Sequence, residues 1–275
     1  MALSTQEIMQ VALELAGLTE VPPDSGVIVP GEKITKLAVG IDMETAELLL
    51  ARELKCDGVL SHHPVAGSPK LELHQVMNSQ IDRMVAAGVP INKAQKALQK
   101  RKEEVERGTH VTNYDRVTSA AKALNMPFLN IHWPADLVTE RVVQKHLDEQ
   151  LNGNPKATCK DVVDALLELP EYQKAATRPQ IRVGSEQTYA GKVWVAMAGG
   201  TSGGPDVFKA YFEAGVGTLI VMHCPEDALK AVREQNIGNV IVAGHMASDS
   251  IGINRLCAAL EARGLEIVRL AGVIY

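Results

Sequence analysis

No stretch of this chain approaches the roughly 18 continuous apolar residues of a membrane span, and the Met1 end lacks a cationic segment followed by an apolar run. A cytoplasmic protein with no membrane partner is therefore expected. Cysteine is scarce: Cys56, Cys159, Cys224 and Cys257 are widely spaced and form no CxxC pair, so neither a disulfide framework nor a thiolate zinc site is indicated. An excess of positive charge is missing too. With a net charge of -5 and a pI near 5.9, no general attraction to nucleic acid or anionic membrane is expected. A Ser nucleophile elbow, a Cys-His dyad and a paired-carboxylate signature are all absent, so covalent catalysis finds no support.

What is present is core material. The 275 residues are 46% hydrophobic, enough for one large α/β domain or two small ones. Ser4-Thr5-Gln6-Glu7 fits a capping box, Ile8, Val11, Ala12 and Leu15 follow at helical spacing, and Gly17 ends the helix. After a Pro22–Gly26 loop, Lys36 to Ile41 reads as a buried strand, Glu44 to Lys55 as a helix and Gly58 to Leu60 as a second strand. This β-α-β unit ends on Ser61-His62-His63-Pro64, at the carboxyl end of a strand, where α/β sheets place ligands. Leu73 to Ala87 and Asn92 to Arg107 read as helices. The second carries mixed bases and acids without aromatics, which favours a solvated face over a nucleic-acid patch. A helix at about Tyr114 to Leu124 leads to a strand, Phe128 to Ile131, that delivers His132, and Leu137 to Leu151 is helical. From Lys192 to Leu270, strands and helices alternate regularly, which argues for a largely parallel sheet. The expected architecture is α/β: two related lobes with parallel or mixed sheets, 1–135 and 186–275, joined by a mainly helical 136–185, with the functional site in the cleft between the lobes.

The imidazoles carry the chemistry. Pro64 forces an extended exit from the strand, so His62 and His63 can turn to one cleft, an arrangement that suits a two-ion centre. Near the other end, Gly244-His245-Met246-Ala247-Ser248-Asp249 follows an apolar strand, and His245 and Asp249 are spaced i, i+4 on one helical face. Imidazole and carboxylate together suit zinc, iron or manganese. Gly199-Gly200-Thr201-Ser202-Gly203-Gly204 connects a strand to a helix and is a candidate anion contact, and His223-Cys224 occupies another strand end.

The strand-SHHP stretch, the GHMASD stretch and the βαβ pattern resemble the Nif-three-like family, also described as type 2 GTP cyclohydrolase I homologues. The resemblance implies two divalent ions held between two lobes, a cytoplasmic location and a ring-like homohexamer. Its ligand motifs are the His-His pair, a central His-Thr-Asn-Leu-Asp and a terminal Gly-His-x-x-x-Glu. They map onto His62 and His63, and onto His245 with Asp249 in place of glutamate. Thr112-Asn113-Tyr114-Asp115 resembles the end of the central motif, which makes Asp115 the expected bridging carboxylate. Val111 stands where the family has histidine, and His110, one residue away, or His132 is the candidate replacement. The expected function is metal-dependent hydrolysis of a phosphorylated or nucleotide-like small molecule; the alternative is a non-catalytic oligomer with structural ions.

Overall fold

The computed structural model describes residues 2–275. Among them are nine strands: β1 (Gly26–Val29), β2 (Lys36–Gly40), β3 (Gly58–Ser61), β4 (Phe128–Asn130), β5 (Gln180–Val183), β6 (Val193–Val195), β7 (Thr218–Val221), β8 (Asn239–Val242) and β9 (Glu266–Arg269). They form two mixed sheets, in the orders β1-β4-β3-β2-β9 and β5-β8-β7-β6. In the first, β2, β3, β4 and β9 run parallel while β1 pairs antiparallel with β4. In the second, β6, β7 and β8 run parallel while β5 pairs antiparallel with β8. The chain divides into two compact units. The first holds the chain up to Val76, Val105–Val138 and Asp249–Ile274; the second holds Met77–Glu104 and Thr139–Ser248, with Tyr275.

In the first unit the expected capping box is formed: Ser4 Oγ accepts from the Glu7 amide, and the Glu7 carboxylate accepts from the Ser4 amide at 2.7 Å. Gly17 closes that helix, Thr5–Ala16, in the left-handed conformation at φ 66°, which glycine adopts without a Cβ penalty. Strands β2 and β3 are almost wholly buried, as parallel strands covered on both faces must be. Helices Thr45–Glu53 and Arg116–Ala123 pack on each other and enclose Ala38, Met43, Leu48, Val59, Val117, Ala121 and Phe128 in one apolar cluster.

In the second unit, helices Pro205–Glu213 and Glu226–Gln235 pack together, burying Phe208, Tyr211, Phe212, Leu229 and Val232. The charged helix Ile91–His110 buries only Ala94 and Leu98, so its lysines and glutamates form a solvated face, as the intermixed charges predict. No helix among the described residues is long and apolar enough to cross a membrane.

Several elements differ from the sequence expectation. β1 and β5 are not predicted by the pattern. Both lie at a sheet edge and are only partly buried; β5 alternates exposed and half-buried residues and lacks the apolar signature of an inner strand, whereas β1 carries a β-branched run, Val27-Ile28-Val29, directly after the Pro22–Gly26 loop. The expected helix from Leu73 to Ala87 is two, Leu73–Val76 and Ser79–Ala87. The helix expected from Leu137 begins at Trp133, because Pro134 is tolerated in a first turn, where no amide donor is needed. The helix expected from Ala247 begins at His245.

Candidate metal centre

The site is built where β3 and β4 end side by side. The His62 amide donates to Gly40 O and the His63 amide to Ile41 O, which carries the strand pairing beyond β3 and fixes the backbone of both histidines. The buried Ser61 hydroxyl accepts from the Met43 amide at 3.2 Å, tying the turn after β2 to the end of β3. Next door, the Ile131 amide donates to Ser61 O, and His132 follows at once. The His132 amide donates to Ser25 Oγ at 3.0 Å, so the proline-rich loop before β1 also holds this strand end.

Three imidazoles converge here. Ring centroids are 5.1 Å apart for His62 and His63, 5.0 Å for His62 and His132, and 5.7 Å for His63 and His132. Each ring is held through Nδ1: His62 by Ile131 O at 3.0 Å, His63 by Asp42 Oδ1 at 2.8 Å, and His132 by Asp24 Oδ2 at 2.7 Å. A carbonyl or a carboxylate can only accept, so each Nδ1 carries a proton, and Nε2 is the ring nitrogen left to ligate a metal ion whenever the imidazole is neutral.

Two carboxylates face those Nε2 atoms. Asp136 Oδ1 lies 3.3 Å from His62 Nε2, and its other oxygen lies 3.7 Å from His132 Nε2. Asp249 Oδ1 lies 3.7 Å from His62 Nε2, and Oδ2 lies 3.4 Å from His63 Nε2. All five residues lie in the first unit. His62, His63 and His132 form one group able to hold a metal ion, and His62, Asp136 and Asp249 another. His245 opens the helix that supplies Asp249, one turn ahead of it.

The donor set fits a divalent cation. His62 Nε2 and Asp136 Oδ1 are both buried and neither makes a hydrogen bond, although they face one another. Asp24, Asp136 and Asp249 are all buried, and buried carboxylates are costly without compensating positive charge. Burial pushes His62 down, yet Asp249 and Asp136 outweigh it and hold its pKa well above the ordinary imidazole range. His63 is raised in the same way: burial opposes, Asp249 and Asp42 prevail. A field that draws a proton onto an imidazole also draws a metal cation.

Of the residues singled out in the sequence, His62, His63, His132 and Asp249 are brought together. Asp115 and His110 are not in these groups: both are exposed, and Asp115 precedes helix Arg116–Ala123 with its amide bonded to Asn113 Oδ1. Asp136 is the residue that sequence reasoning missed. The signal was spacing: His132 and Asp136 stand four apart after a strand, like His245 and Asp249 and like the first and last residues of the His-Thr-Asn-Leu-Asp motif. Matching Thr-Asn-x-Asp by residue type pointed instead to Asp115.

The other candidates resolve differently. Gln80 donates to Gly199 O at 2.7 Å and to Thr201 O at 2.6 Å, locking the glycine-rich loop. A Cβ on Gly199, at φ 121°, would come within 2.6 Å of the Gln80 side chain, so glycine is required there. At the same strand end, the Met197 and Ala198 amides donate to the Glu140 carboxylate at 2.9 and 3.1 Å, and Arg83 pairs with that carboxylate. These two amides are thus occupied by the chain's own anion. His223 packs its ring edge-on to His245 at 4.9 Å, and burial pushes the Cys224 thiol up to about 12.

Comparison with known proteins gives a single clear relation. No family model matches the chain, and no curated protein matches it. Among solved structures, a NIF3 superfamily protein from Sphaerobacter thermophilus is 42% identical, with 99% of this chain and 100% of that chain covered and a TM-score of 0.95. Reduced HcgD from Methanocaldococcus jannaschii is similar at 14% identity, 98% and 99% coverage and a TM-score of 0.58. A Bacillus cereus protein related to NIF3 is similar at 10% identity, 98% and 97% coverage and a TM-score of 0.52. The latter two show the fold alone. With that fold, a buried His/Asp cluster able to hold metal and 42% identity over essentially the whole length, this chain belongs to the NIF3 superfamily.

Proposed function

We propose that this protein is a metal-dependent hydrolase that holds two divalent ions and acts on a phosphorylated or nucleotide-like small molecule. The observation that carries the reading is the convergence of three imidazole Nε2 atoms on Asp136 and Asp249, with every Nδ1 already committed to an outer acceptor. In this reading the ligands are His62, His63, His132, Asp136 and Asp249. Charge supports more than one ion: the buried Asp24, Asp136 and Asp249 bring three negative charges to the cluster, more than a single divalent cation neutralises when the imidazoles ligate as neutral donors. Asp136 and Asp249 each face two imidazoles through separate oxygens, the disposition a bridging carboxylate needs.

Bound divalent ions would supply Lewis acidity and lower the pKa of a coordinated water toward neutrality. The chain's own part is to hold and to shield. His62 and the three inner carboxylates keep bulk water out, whereas His63, with its side chain 21% exposed, marks the side from which a substrate reaches the cluster. The assembly proposed alongside is the ring-like homohexamer of the resemblance, to be tested by light scattering on the purified protein.

The depth of burial favours a second reading, in which the ions are purely structural. Elemental analysis of protein purified without chelator tests the shared part: about two ions per chain support the centre, and none removes it. Chelation then separates the readings. Reversible loss of turnover on phosphoester and nucleotide substrates, with the fold retained, supports the hydrolase; unfolding on chelation with no turnover of the loaded protein supports structural ions.

A further inference from the structure

The three imidazoles are alike in being held through Nδ1, but their acceptors are not alike. His62 rests on a neutral backbone carbonyl. His63 rests on Asp42, whose side chain is 58% exposed. His132 rests on Asp24, which is 0% exposed. The Asp24 carboxylate has been assembled with care: Ser25 Oγ donates to Oδ1 at 3.3 Å, the His132 imidazole donates to Oδ2, and Asn130 Nδ2 donates to the Asp24 carbonyl at 2.6 Å. The Ser25 amide bonds back to Pro22 O, closing the turn that presents it. Its ion-pair partner is an imidazole, not a lysine or arginine.

A fully buried carboxylate with only a neutral imidazole and a hydroxyl on it is poorly compensated. The arrangement becomes favourable when His132 Nε2 donates to a cation, because the Nδ1–H then grows more acidic and its bond to Asp24 strengthens. Conversely, the carboxylate holds the ring in place and strengthens Nε2 as a metal donor. The same logic applies weakly at Asp42, where water screens the charge.

We infer that Asp24 is a positioning residue for the centre, fixing His132 in the Nδ1–H form and strengthening it as a ligand far more than Asp42 does for His63. The inference rests on the metal reading above and adds to it a residue that touches neither ion nor substrate. Asp24→Asn is the incisive variant, because the amide oxygen can still accept from Nδ1 while the charge is gone. Titration of the metal-free protein with Co2+, followed by its visible absorption, is the test. Asp24→Asn should bind Co2+ about 10–100-fold more weakly than wild type, the range found for outer-shell partners, while the metal-free melting temperature stays close to that of wild type. Asp42→Asn should change Co2+ affinity by at most about fivefold, as for a screened surface pair. Wild-type affinity in Asp24→Asn, or equal losses in the two variants, overturns the assignment. Should Asp24→Asn fail to fold, histidine-labelled NMR of the Zn2+-loaded wild-type protein decides: a proton on His132 Nδ1 supports the inference, and a proton on Nε2 overturns it. Failure of wild type to take up Co2+ at all is a different result, and it removes the metal reading together with this inference.

Discussion

The two sheets share a plan and differ in what they place on it. Leaving β9 aside, β1-β4-β3-β2 and β5-β8-β7-β6 have the same order, the same antiparallel edge and the same parallel core. Each delivers histidines from its third and fourth strands: His62, His63 and His132 after β3 and β4, and His223 and His245 after β7 and β8. In each, a helix with His-x-x-x-Asp at its start follows the last of these strands. Yet the imidazoles of the first sheet are held by Asp24, Asp42 and a carbonyl and look onto carboxylates, whereas His223 is exposed and rests against another imidazole. The glycine-rich loop after β6 is likewise locked by Gln80, and a nearby pair of amides is taken by Glu140. One architecture thus supports two outcomes, and the difference lies in which polar groups surround each strand end.

The sharpest way to break this comparison is to truncate one imidazole in each half. His62→Ala should abolish metal uptake, a loss beyond the roughly 100-fold of outer-sphere changes, whereas His223→Ala should leave metal content unchanged; elemental analysis reads both. A large effect of a different kind is expected in the second core. A Cβ at Gly238 would lie 2.0 Å from the buried Phe212 ring, so Gly238→Ala should destabilise the fold by about 1–3 kcal/mol or more, measured by urea denaturation with metal content intact. Removing the lock on the glycine-rich loop is milder. Gln80→Ala deletes two hydrogen bonds to Gly199 and Thr201 and should cost about 1–3 kcal/mol, with faster hydrogen exchange confined to that loop.

The smallest effect separates solvated from buried carboxylates. Asp57 is lightly buried, which pushes its pKa up, but bonds from the Thr35 hydroxyl and the Thr35 and Lys36 amides outweigh this and lower it below the ordinary carboxylate value. A lowered pKa means stability present above the unfolded-state value of about 3.9 and lost as the pH falls through the lower folded value. Wild type should therefore exceed Asp57→Asn in stability by a constant margin at neutral pH. That margin should shrink on acidification below about pH 4, as followed by denaturant melts; a margin that widens there contradicts the reading.

Local signals were legible where they were complete within a few residues. The Ser4–Glu7 box, the Gly17 stop and the β2-helix-β3 unit ending at His62 and His63 all appear as the sequence predicts. The edge strand β5 was not legible, because it is partly solvated and owes its existence to long-range pairing with β8, whereas β1 does carry a β-branched run, Val27-Ile28-Val29. Asp136 was masked by Pro134, which suggests a helix break but is accommodated in the first turn. Asp24 and Asp42 were invisible for a stronger reason: each is far in sequence from the imidazole it holds, and nothing in a short window announces such a pairing.

By itself, the sequence determined the α/β alternation, the strand ends that carry histidine and the i, i+4 helical pairs, since these depend on periodicity and on the few backbone states open to proline and glycine. The tertiary structure alone decided that β9 joins β2, that His132 and Asp136 complete the group around His62, and that Asp24 is the buried support behind it. Those are contacts between residues many positions apart. They form only when chain folding brings strand ends together and burial makes an uncompensated carboxylate too costly to leave without a partner.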